Sequence, residues 1–198
     1  MKLYFVPGAC SLSPHILIHE LGLSAEIELV NLSNKTTASG RNFLEINPKG
    51  YVPALELDSG EVLTEGVAIV SYLSHLKQPF QGSQLSSWRQ LEWLAFISSE
   101  MHKGIGSLFA TPDPEARQKG WEKVQPRLAW VNQQLQNREF LQEQFSAADA
   151  YLFTTLSWVG YLGFDLKAYP ALQAYLERLQ QRPSVKAALE AEKALTPA

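Results

Sequence analysis

The sequence predicts a small α/β domain followed by an all-α domain. Up to about residue 80, short strand-like runs alternate with helical patterns, which is typical of a mixed sheet covered by helices. Beyond that point nearly every periodic segment has helical spacing. The breakers and small residues of Lys77-Gln78-Pro79-Phe80-Gln81-Gly82-Ser83 indicate the boundary. We therefore place the first domain at residues 1–78, a linker at 79–86 and the helical domain at 87–198.

Four short runs supply the predicted strands of the first domain. The last two are joined by Asp58-Ser59-Gly60, a turn-forming sequence typical of a hairpin. With the helices between them, the predicted order is strand, helix, strand, helix, strand, strand, helix. The four runs are residues 2–5, 27–30, 54–57 and 61–63.

The first helix is predicted over about residues 14–21. Pro14 suits a first helical turn, Ser11 or Ser13 is expected to cap it, and Gly22 ends it.

Two further helices complete this domain, one over residues 41–46 and one from about Glu65. In the second of them, apolar residues recur at the spacing of one buried face, namely Ile69, Tyr72, Leu73 and Leu76.

Helical periodicity dominates the second domain. Its longest predicted helix, residues 88–109, carries an apolar side formed by Trp93, Phe96, Ile97 and Met101. Ser146-Ala147-Ala148-Asp149 has the form of a capping box and predicts another helix start. The remaining predicted helices cover about residues 114–135, 170–181 and 184–193.

The composition argues against several classes of partner. The 17 Lys and Arg residues against 20 Asp and Glu leave a formal net charge of -3 without a block of like charges, so we expect no nucleic-acid binding. No segment approaches the ~20 apolar residues of a membrane span, and the run after Lys2 is too short for an export signal. The single Cys cannot form an internal disulfide, which favours a reducing compartment. We expect the cytoplasm.

Cys10 is the candidate nucleophile. It follows a Pro7-Gly8 turn and directly precedes the first helix, where free amides and the helix dipole favour an anion. This position predicts a lowered thiol pKa and hence a thiolate. The alternative is a small buried hydrophobic residue. Because Ser13 stands at the spacing of a second dithiol Cys, any redox cycle must pass through a mixed disulfide with an external thiol.

His102 is the candidate polar group of the helical domain. An imidazole there can donate a hydrogen bond to a thiolate or act as acid or base near neutral pH. The alternative is a merely polar interfacial His. The residues on its helix face are small, which indicates a groove: Ala95, Ser98, Ser99 and Gly106.

Five motifs occur in order along almost the whole chain: Pro7-Gly8-Ala9-Cys10-Ser11-Leu12-Ser13-Pro14-His15, Asn47-Pro48-Lys49-Gly50-Tyr51-Val52-Pro53, Leu63-Thr64-Glu65-Gly66-Val67-Ala68-Ile69, Glu100-Met101-His102-Lys103-Gly104 and Ala148-Asp149-Ala150-Tyr151. Together they resemble the bacterial beta-class glutathione transferases. The resemblance implies a thioredoxin-like first domain of order βαβαββα, an all-α second domain and a homodimer. It also implies glutathione as co-substrate, with no metal.

The resemblance implies a glutathione cradle in the first domain. A cis Val52-Pro53 bond is expected to turn the Val52 N–H and C=O towards the ligand's cysteinyl backbone; an ordinary trans loop proline is the alternative. Glu65 and the amides at the helix start are expected to hold the γ-glutamyl end, although Glu65 also suits a first helical turn on charge alone. The implied glutathione-binding residues of this domain are Lys35, Tyr51, Val52, Pro53, Glu65 and Gly66.

Two of these positions carry a reservation. Gly66 stands where many transferases have Ser, which removes a hydroxyl donor and predicts weaker glutathione affinity. Lys35 is expected to meet the glycyl carboxylate, with a solvated surface lysine as the alternative.

The second domain is implied to contribute to the partner's glutathione site and to the acceptor pocket. Ser99 is expected to reach across the dimer, whereas Ala95 has no polar side chain for that contact. Three residues are implied to line an apolar pocket, with core packing as the alternative for all of them: Ile105, Trp158 and Tyr161.

The expected function is an enzyme that directs the sulfur of glutathione, or of Cys10, onto hydrophobic electrophiles or disulfides. Because most transferases have Tyr or Ser where this chain has Cys, we expect slow conjugation, thiol–disulfide exchange and a further capacity for peroxide reduction. The alternative is a non-catalytic glutathione-fold module for ligand binding or assembly. Such modules tend to lose the thiol or the cradle, whereas this chain retains Cys10, Glu65 and His102.

Overall fold

The computed structural model describes residues 1–77 and 85–195. These residues form two compact units, one of residues 1–77 with 182–195 and one of residues 85–181. Most of the predicted linker therefore lies outside the described residues, and its last two positions, 85 and 86, already belong to a helix. None of the described helices is long and apolar enough to cross a membrane.

A five-stranded mixed sheet forms the centre of the first unit. Its spatial order is β3-β2-β1-β4-β5, with β1 parallel to β2 and every other neighbouring pair antiparallel. Leu3, fully buried, pairs with Ile27 on one side and Leu55 on the other. The strands are β1 Lys2–Phe5, β2 Glu26–Asn31, β3 Thr36–Thr37, β4 Ala54–Glu56 and β5 Val62–Thr64. The α/β class is confirmed, and the two-residue β3 is an addition to the predicted order.

The first helix, α1 Leu12–Glu20, begins two residues before its predicted start, and the predicted serine caps are wrong. The Ser11 Oγ accepts from the Val6 N–H at 3.1 Å and donates to the Val6 carbonyl at 3.2 Å. The Ser13 Oγ donates to the Cys10 carbonyl at 2.9 Å. Both hydroxyls therefore brace the turn before α1 instead of satisfying its free amides.

Three more helices belong to the first unit: α2 Phe43–Ile46, α3 Gly66–Lys77 and α9 Pro183–Ala194. In α3, Ile69 and Leu73 are buried as predicted, whereas Leu76 is exposed. The helix α9, which the sequence assigns to the helical domain, groups instead with the first unit because it packs on α1. The Arg182 guanidinium just before α9 pairs with the Glu20 carboxylate at the end of α1.

The second unit is all helical, which confirms the class predicted for it. The predicted helix 88–109 is a continuous helical run of four segments: α4 Leu85–Phe96, a π-helical segment Ile97–His102, α5 Lys103–Gly106 and a 3₁₀ turn Ser107–Ala110. The π segment widens the turn that ends at His102, so the α-helical spacing assumed from sequence does not hold there. The other helices are α6 Pro114–Gln134, α7 Ala147–Tyr161 and α8 Pro170–Gln180.

The capping box that the sequence predicts at the start of α7 is present. The buried Asp149 carboxylate accepts from the backbone N–H groups of Ser146 and Leu141, each at 2.9 Å. It also accepts from the Tyr175 hydroxyl at 2.9 Å, which ties α8 to the start of α7.

Candidate active site

Cys10 lies in the turn between β1 and α1, half-buried, and its thiol faces the loop of residues 47–53. The turn is tight because Gly8 adopts a φ of 68°, a conformation that glycine accepts without steric cost. The Cys10 Sγ–H donates to the Val52 carbonyl oxygen, with an S···O distance of 3.2 Å.

The predicted thiolate is not what the surroundings of Cys10 favour. Burial raises the pKa of the thiol to about 11, and the Glu65 carboxylate contributes in the same direction. The N–H groups of Cys10 and Ser11 lower this pKa, as expected at a helix start, but burial outweighs them. The free protein therefore holds Cys10 as a neutral thiol at neutral pH.

The Val52–Pro53 peptide bond is cis, as the resemblance implies. Val52 and Pro53 are both buried, and no residue in the described part of the chain accepts a hydrogen bond from the Val52 N–H. The fully buried Asn47 holds this loop by donating from its side-chain amide to the Tyr51 carbonyl at 2.7 Å. The loop thus presents a backbone donor and an acceptor at Val52, beside the Cys10 sulfur.

Glu65 immediately precedes α3 and has a φ of 71°, which is rare for a residue with a side chain. Within the described chain, the N–H groups of Gly66 and Val67 have no acceptor, as is usual for a first helical turn. The Glu65 side chain, the amides of α3 and the cis loop therefore meet at one edge of the first unit.

Two residues of the cis loop hold the Glu65 carboxylate. Lys49 forms an ion pair with it and also donates to the Thr64 hydroxyl at 2.9 Å. The exposed Tyr51 donates from its hydroxyl to the same carboxylate, also at 2.9 Å. Lys49, then Tyr51, lower the pKa of Glu65. Lys49 has no role in the sequence prediction, although it lies in one of the five motifs.

Lys35 is half-buried, with a φ of 57°, and its ammonium donates to the Gly50 carbonyl at 2.7 Å. Lys35 and Glu65 thus contact the loop that contains Tyr51, Val52 and Pro53, and Gly66 follows Glu65 in the chain.

A buried pair that the sequence does not predict supports the turn before Cys10. The Glu192 carboxylate on α9 accepts from the Gly8 N–H at 2.8 Å, and its other oxygen lies 3.1 Å from the Nδ1 of His15 on α1. Both side chains are almost fully buried. Because 184 positions separate Gly8 from Glu192, no local pattern signals the contact.

In the second unit, His102 ends the π segment and is half-buried, and burial lowers the pKa of its imidazole. Its Nδ1 lies 2.5 Å from the Tyr151 hydroxyl, and its ring packs edge-on against Trp158 with centroids 5.0 Å apart. Ala95 and Ser99 are exposed in the same helical run. The role of His102 and of Ser99 in catalysis or ligand binding stays a prediction.

The three predicted pocket residues have different surroundings. Ile105 is fully buried and Trp158 is 7% exposed, which agrees with the core alternative for those two. Tyr161 is 85% exposed, which fits neither an apolar pocket nor core packing. Phe109, which the sequence did not single out, is about half exposed and lies edge-on to Trp158. No group of His, Cys, Asp or Glu that could hold a metal ion occurs among residues 1–77 and 85–195.

Comparison with known proteins agrees with this architecture. Residues 8–76 match the family model "Glutathione S-transferase, N-terminal domain", and residues 114–178 match its C-terminal counterpart. The chain is 38% identical over 200 residues to glutathione S-transferase GstA of Escherichia coli O157:H7, covering 97% of this chain and 98% of that one.

Two solved structures are also similar over nearly their whole length. A sphingomonad glutathione S-transferase complexed with glutathione is 43% identical, with a TM-score of 0.92 over 99% of this chain and 100% of that one. The beta-class glutathione S-transferase of Sphingomonas chungbukensis is 42% identical, with a TM-score of 0.91 over 97% and 98% of the two chains.

Proposed function

Because this chain belongs to the glutathione S-transferase family, we propose that it is a beta-class glutathione transferase in which Cys10 works directly beside bound glutathione. It takes glutathione as co-substrate and transfers it to hydrophobic electrophiles, and it exchanges thiols with disulfides. The cysteine at the start of α1 separates it from transferases that use a Tyr or Ser hydroxyl.

The observation that carries this proposal is the position of Cys10 against the Val52 backbone. The Sγ lies 3.2 Å from the Val52 carbonyl, and the Val52 N–H has no acceptor in the described chain. An extended peptide can pair with such a donor and acceptor as if it added one rung to a sheet. A cysteinyl residue bound in this way has its sulfur next to that of Cys10.

The two ends of glutathione find complementary charges in the same unit. The γ-glutamyl carboxylate binds the free amides of Gly66 and Val67, and the amine binds Glu65. Since Lys49 and Tyr51 already hold Glu65 in place, the carboxylate needs little reorganisation on binding. Lys35 binds the glycyl carboxylate once the ligand competes with its bond to Gly50.

A neutral Cys10 has a different role in each reaction. In conjugation, the glutathione sulfur attacks the electrophile and the Cys10 thiol donates a hydrogen bond to it. In exchange, the Cys10 thiolate attacks a glutathione mixed disulfide, forms a Cys10–glutathione disulfide and releases the other thiolate. A second glutathione thiolate then attacks the glutathione sulfur of that disulfide, which forms glutathione disulfide and releases the Cys10 thiolate. Since only the second route needs the anion of Cys10, exchange gains more from rising pH than conjugation does.

The remaining predicted residues of the site lie in the sequence of the helical unit. We assign His102 to the glutathione sulfur, Ser99 to the glutathione of a second subunit, and Ile105, Trp158 and Tyr161 to the acceptor pocket. A homodimer is supported by large apolar side chains that are exposed on α4 and α6: Leu85, Trp88, Leu91 and Trp130. We place the enzyme in the cytoplasm, which suits a chain whose one Cys must stay reduced.

The test compares Cys10→Ala with Cys10→Ser in two assays, conjugation of an aromatic halide and glutathione-dependent reduction of a small disulfide. Both variants should lose disulfide reduction because neither has a sulfur. The Ser variant should keep more conjugation than the Ala variant, since a hydroxyl still donates to the glutathione sulfur. Full survival of disulfide reduction in Cys10→Ala would refute the cysteine mechanism. Retention on immobilised glutathione with no activity in the wild type would instead identify a binding module.

A further inference from the structure

The imidazole of His102 and the hydroxyl of Tyr151 form a close pair inside the second unit. The Nδ1 and Oη atoms lie 2.5 Å apart, and the two rings meet edge-to-face with centroids 5.7 Å apart. Tyr151 lies on α7 and is almost fully buried, whereas His102 is half-buried at the end of the π segment. One nitrogen of the imidazole is thus engaged with the protein interior.

The other edge of the ring faces Gly106. A side-chain carbon placed on Gly106 would meet the His102 Cδ2 at 3.4 Å and its Nε2 at 4.0 Å. The Cδ2–Nε2 edge of the ring therefore lies beside Gly106, a residue without a side chain. The contacts with Trp158 and Tyr151 together limit rotation of the ring.

The chemistry of the pair decides which partner donates. Burial lowers the pKa of His102, so the imidazole is neutral at neutral pH and carries one ring proton. A phenol O–H is a stronger acid than an imidazole N–H, and a bare imidazole nitrogen is a stronger base than a phenol oxygen. The stronger of the two arrangements has Tyr151 donating and Nδ1 accepting. The ring proton is then on Nε2.

We propose that Tyr151 is a positioning residue that holds His102 as the Nε2–H tautomer, so that His102 donates a hydrogen bond to the glutathione sulfur and does not act as a general base. The inference rests on the proposed function for the identity of the acceptor only. The glutathione thiol loses its proton to solvent, and its anion forms a carbon–sulfur bond with the aromatic halide as the carbon–halogen bond breaks and halide leaves to solvent. The Nε2 proton stays on His102 throughout.

The tautomer can be read without any substrate. Protein with ¹⁵N-labelled histidine is examined by two-bond ¹H–¹⁵N correlation at pH 8, and the His102 signals among the four histidines are assigned by their loss in His102→Gln. We expect a protonated Nε2 and a bare Nδ1 in the wild type. In Tyr151→Phe we expect both tautomers. A protonated Nδ1 in the wild type, or an unchanged pure Nε2–H form in Tyr151→Phe, overturns the proposal.

Kinetics supply a readout that a merely structural tyrosine would not change. Tyr151→Phe should lower kcat for conjugation about fivefold at an unchanged KM for glutathione, the effect expected for one misdirected hydrogen bond. His102→Gln should retain more activity than His102→Asn, because the Gln amide nitrogen reaches the place of Nε2 and that of Asn the place of Nδ1. Equal loss in both variants contradicts the donor role.

Two features keep the outcomes separate. If Tyr151→Phe fails to fold, two measurements that need no tyrosine variant still test the proposal, because a protonated Nδ1 in the wild type, or equal loss in the Gln and Asn variants, overturns it. If the Cys10 variants refute the cysteine mechanism while Tyr151→Phe still mixes the tautomers of His102, the proposed function fails and the positioning role of Tyr151 stands.

Discussion

Alkylation of Cys10 in the free enzyme should be slow at neutral pH and should accelerate with pH up to about 11. Burial raises the pKa of this thiol to about 11. Since only the thiolate reacts, the reactive fraction at pH 7 is ~10⁻⁴, against ~10⁻² for a thiol with a pKa of 9. The rate should therefore be about a hundredfold below that of an ordinary thiol and should rise about tenfold per pH unit.

The assay is direct because the chain has a single Cys. Mass spectrometry after timed exposure to iodoacetamide between pH 6 and 11 counts adducts, with denatured protein as the reference for an unperturbed thiol. Glu65→Gln should move the midpoint down, because the Glu65 carboxylate is one of the groups that raise the pKa of Cys10. Glu45→Gln, on α2, is the matched control and should leave the midpoint unchanged. A rate plateau with a midpoint below pH 8 would refute the reasoning and restore the thiolate that the helix start predicts.

Three other predictions concern the scaffold of the site. Burial raises the pKa of Glu28, but hydrogen bonds led by that of Ser39 lower it overall to about 2. Glu28 therefore stabilises the fold above pH 4.5 and loses this effect as pH falls towards 2. Unfolding experiments across this range should show the free energy of unfolding fall by up to about 3 kcal/mol in the wild type, a fall that Glu28→Gln lacks. Glu192→Ala should lower the free energy of unfolding by about 3 kcal/mol, because it leaves buried partners unpaired, and Glu192→Gln by less. Lys49→Met should raise the KM for glutathione about threefold at unchanged kcat, since Glu65 loses its ion-pair partner.

Each of these has an outcome that contradicts it. Parallel pH dependences for wild type and Glu28→Gln would mean that other carboxylates dominate acid unfolding. Equal stability of Glu192→Ala and wild type would show that the turn before Cys10 does not depend on α9. If Lys49→Met changes kcat as strongly as it changes KM, then Lys49 acts in the reaction; Lys119→Met, in an exposed ion pair on α6, is the control for a lost surface charge.

Local signals in the sequence predicted most of the fold. Alternation and turn residues located β1, β4 and β5, and the Ser146–Asp149 spacing identified the start of α7. The two-residue β3 has too few positions to show a period, and the π segment that ends at His102 leaves no mark in apolar spacing. The sequence does not predict either segment because, in a segment this short, packing against neighbouring elements decides which backbone hydrogen bonds form.

The residues of the candidate site also differ in whether local sequence patterns locate them. Its loop residues belong to contiguous motifs, so Val52, Pro53 and Glu65 could be located from sequence. The contact of Glu192 with Gly8 and the pair of Tyr151 with His102 join residues that are far apart in the chain, and no local pattern encodes them. The surroundings of Cys10 disfavour the predicted thiolate for a related reason: helix-start amides are visible in the sequence, whereas the burial that outweighs them is a property of the fold.

Burial acts on the two candidate reactive groups so that both are uncharged at neutral pH. It raises the pKa of the Cys10 thiol and lowers that of the His102 imidazole, so conjugation does not draw on an anion or a cation of either residue. A neutral Cys10 thiol can still stabilise an anion that arrives with the substrate, and it incurs no desolvation cost of a charge of its own while no ligand is bound. The charge of the nucleophile in conjugation must then come from the thiol of glutathione. A protein of this kind is better arranged to direct the sulfur of its ligand than to expose a reactive sulfur of its own.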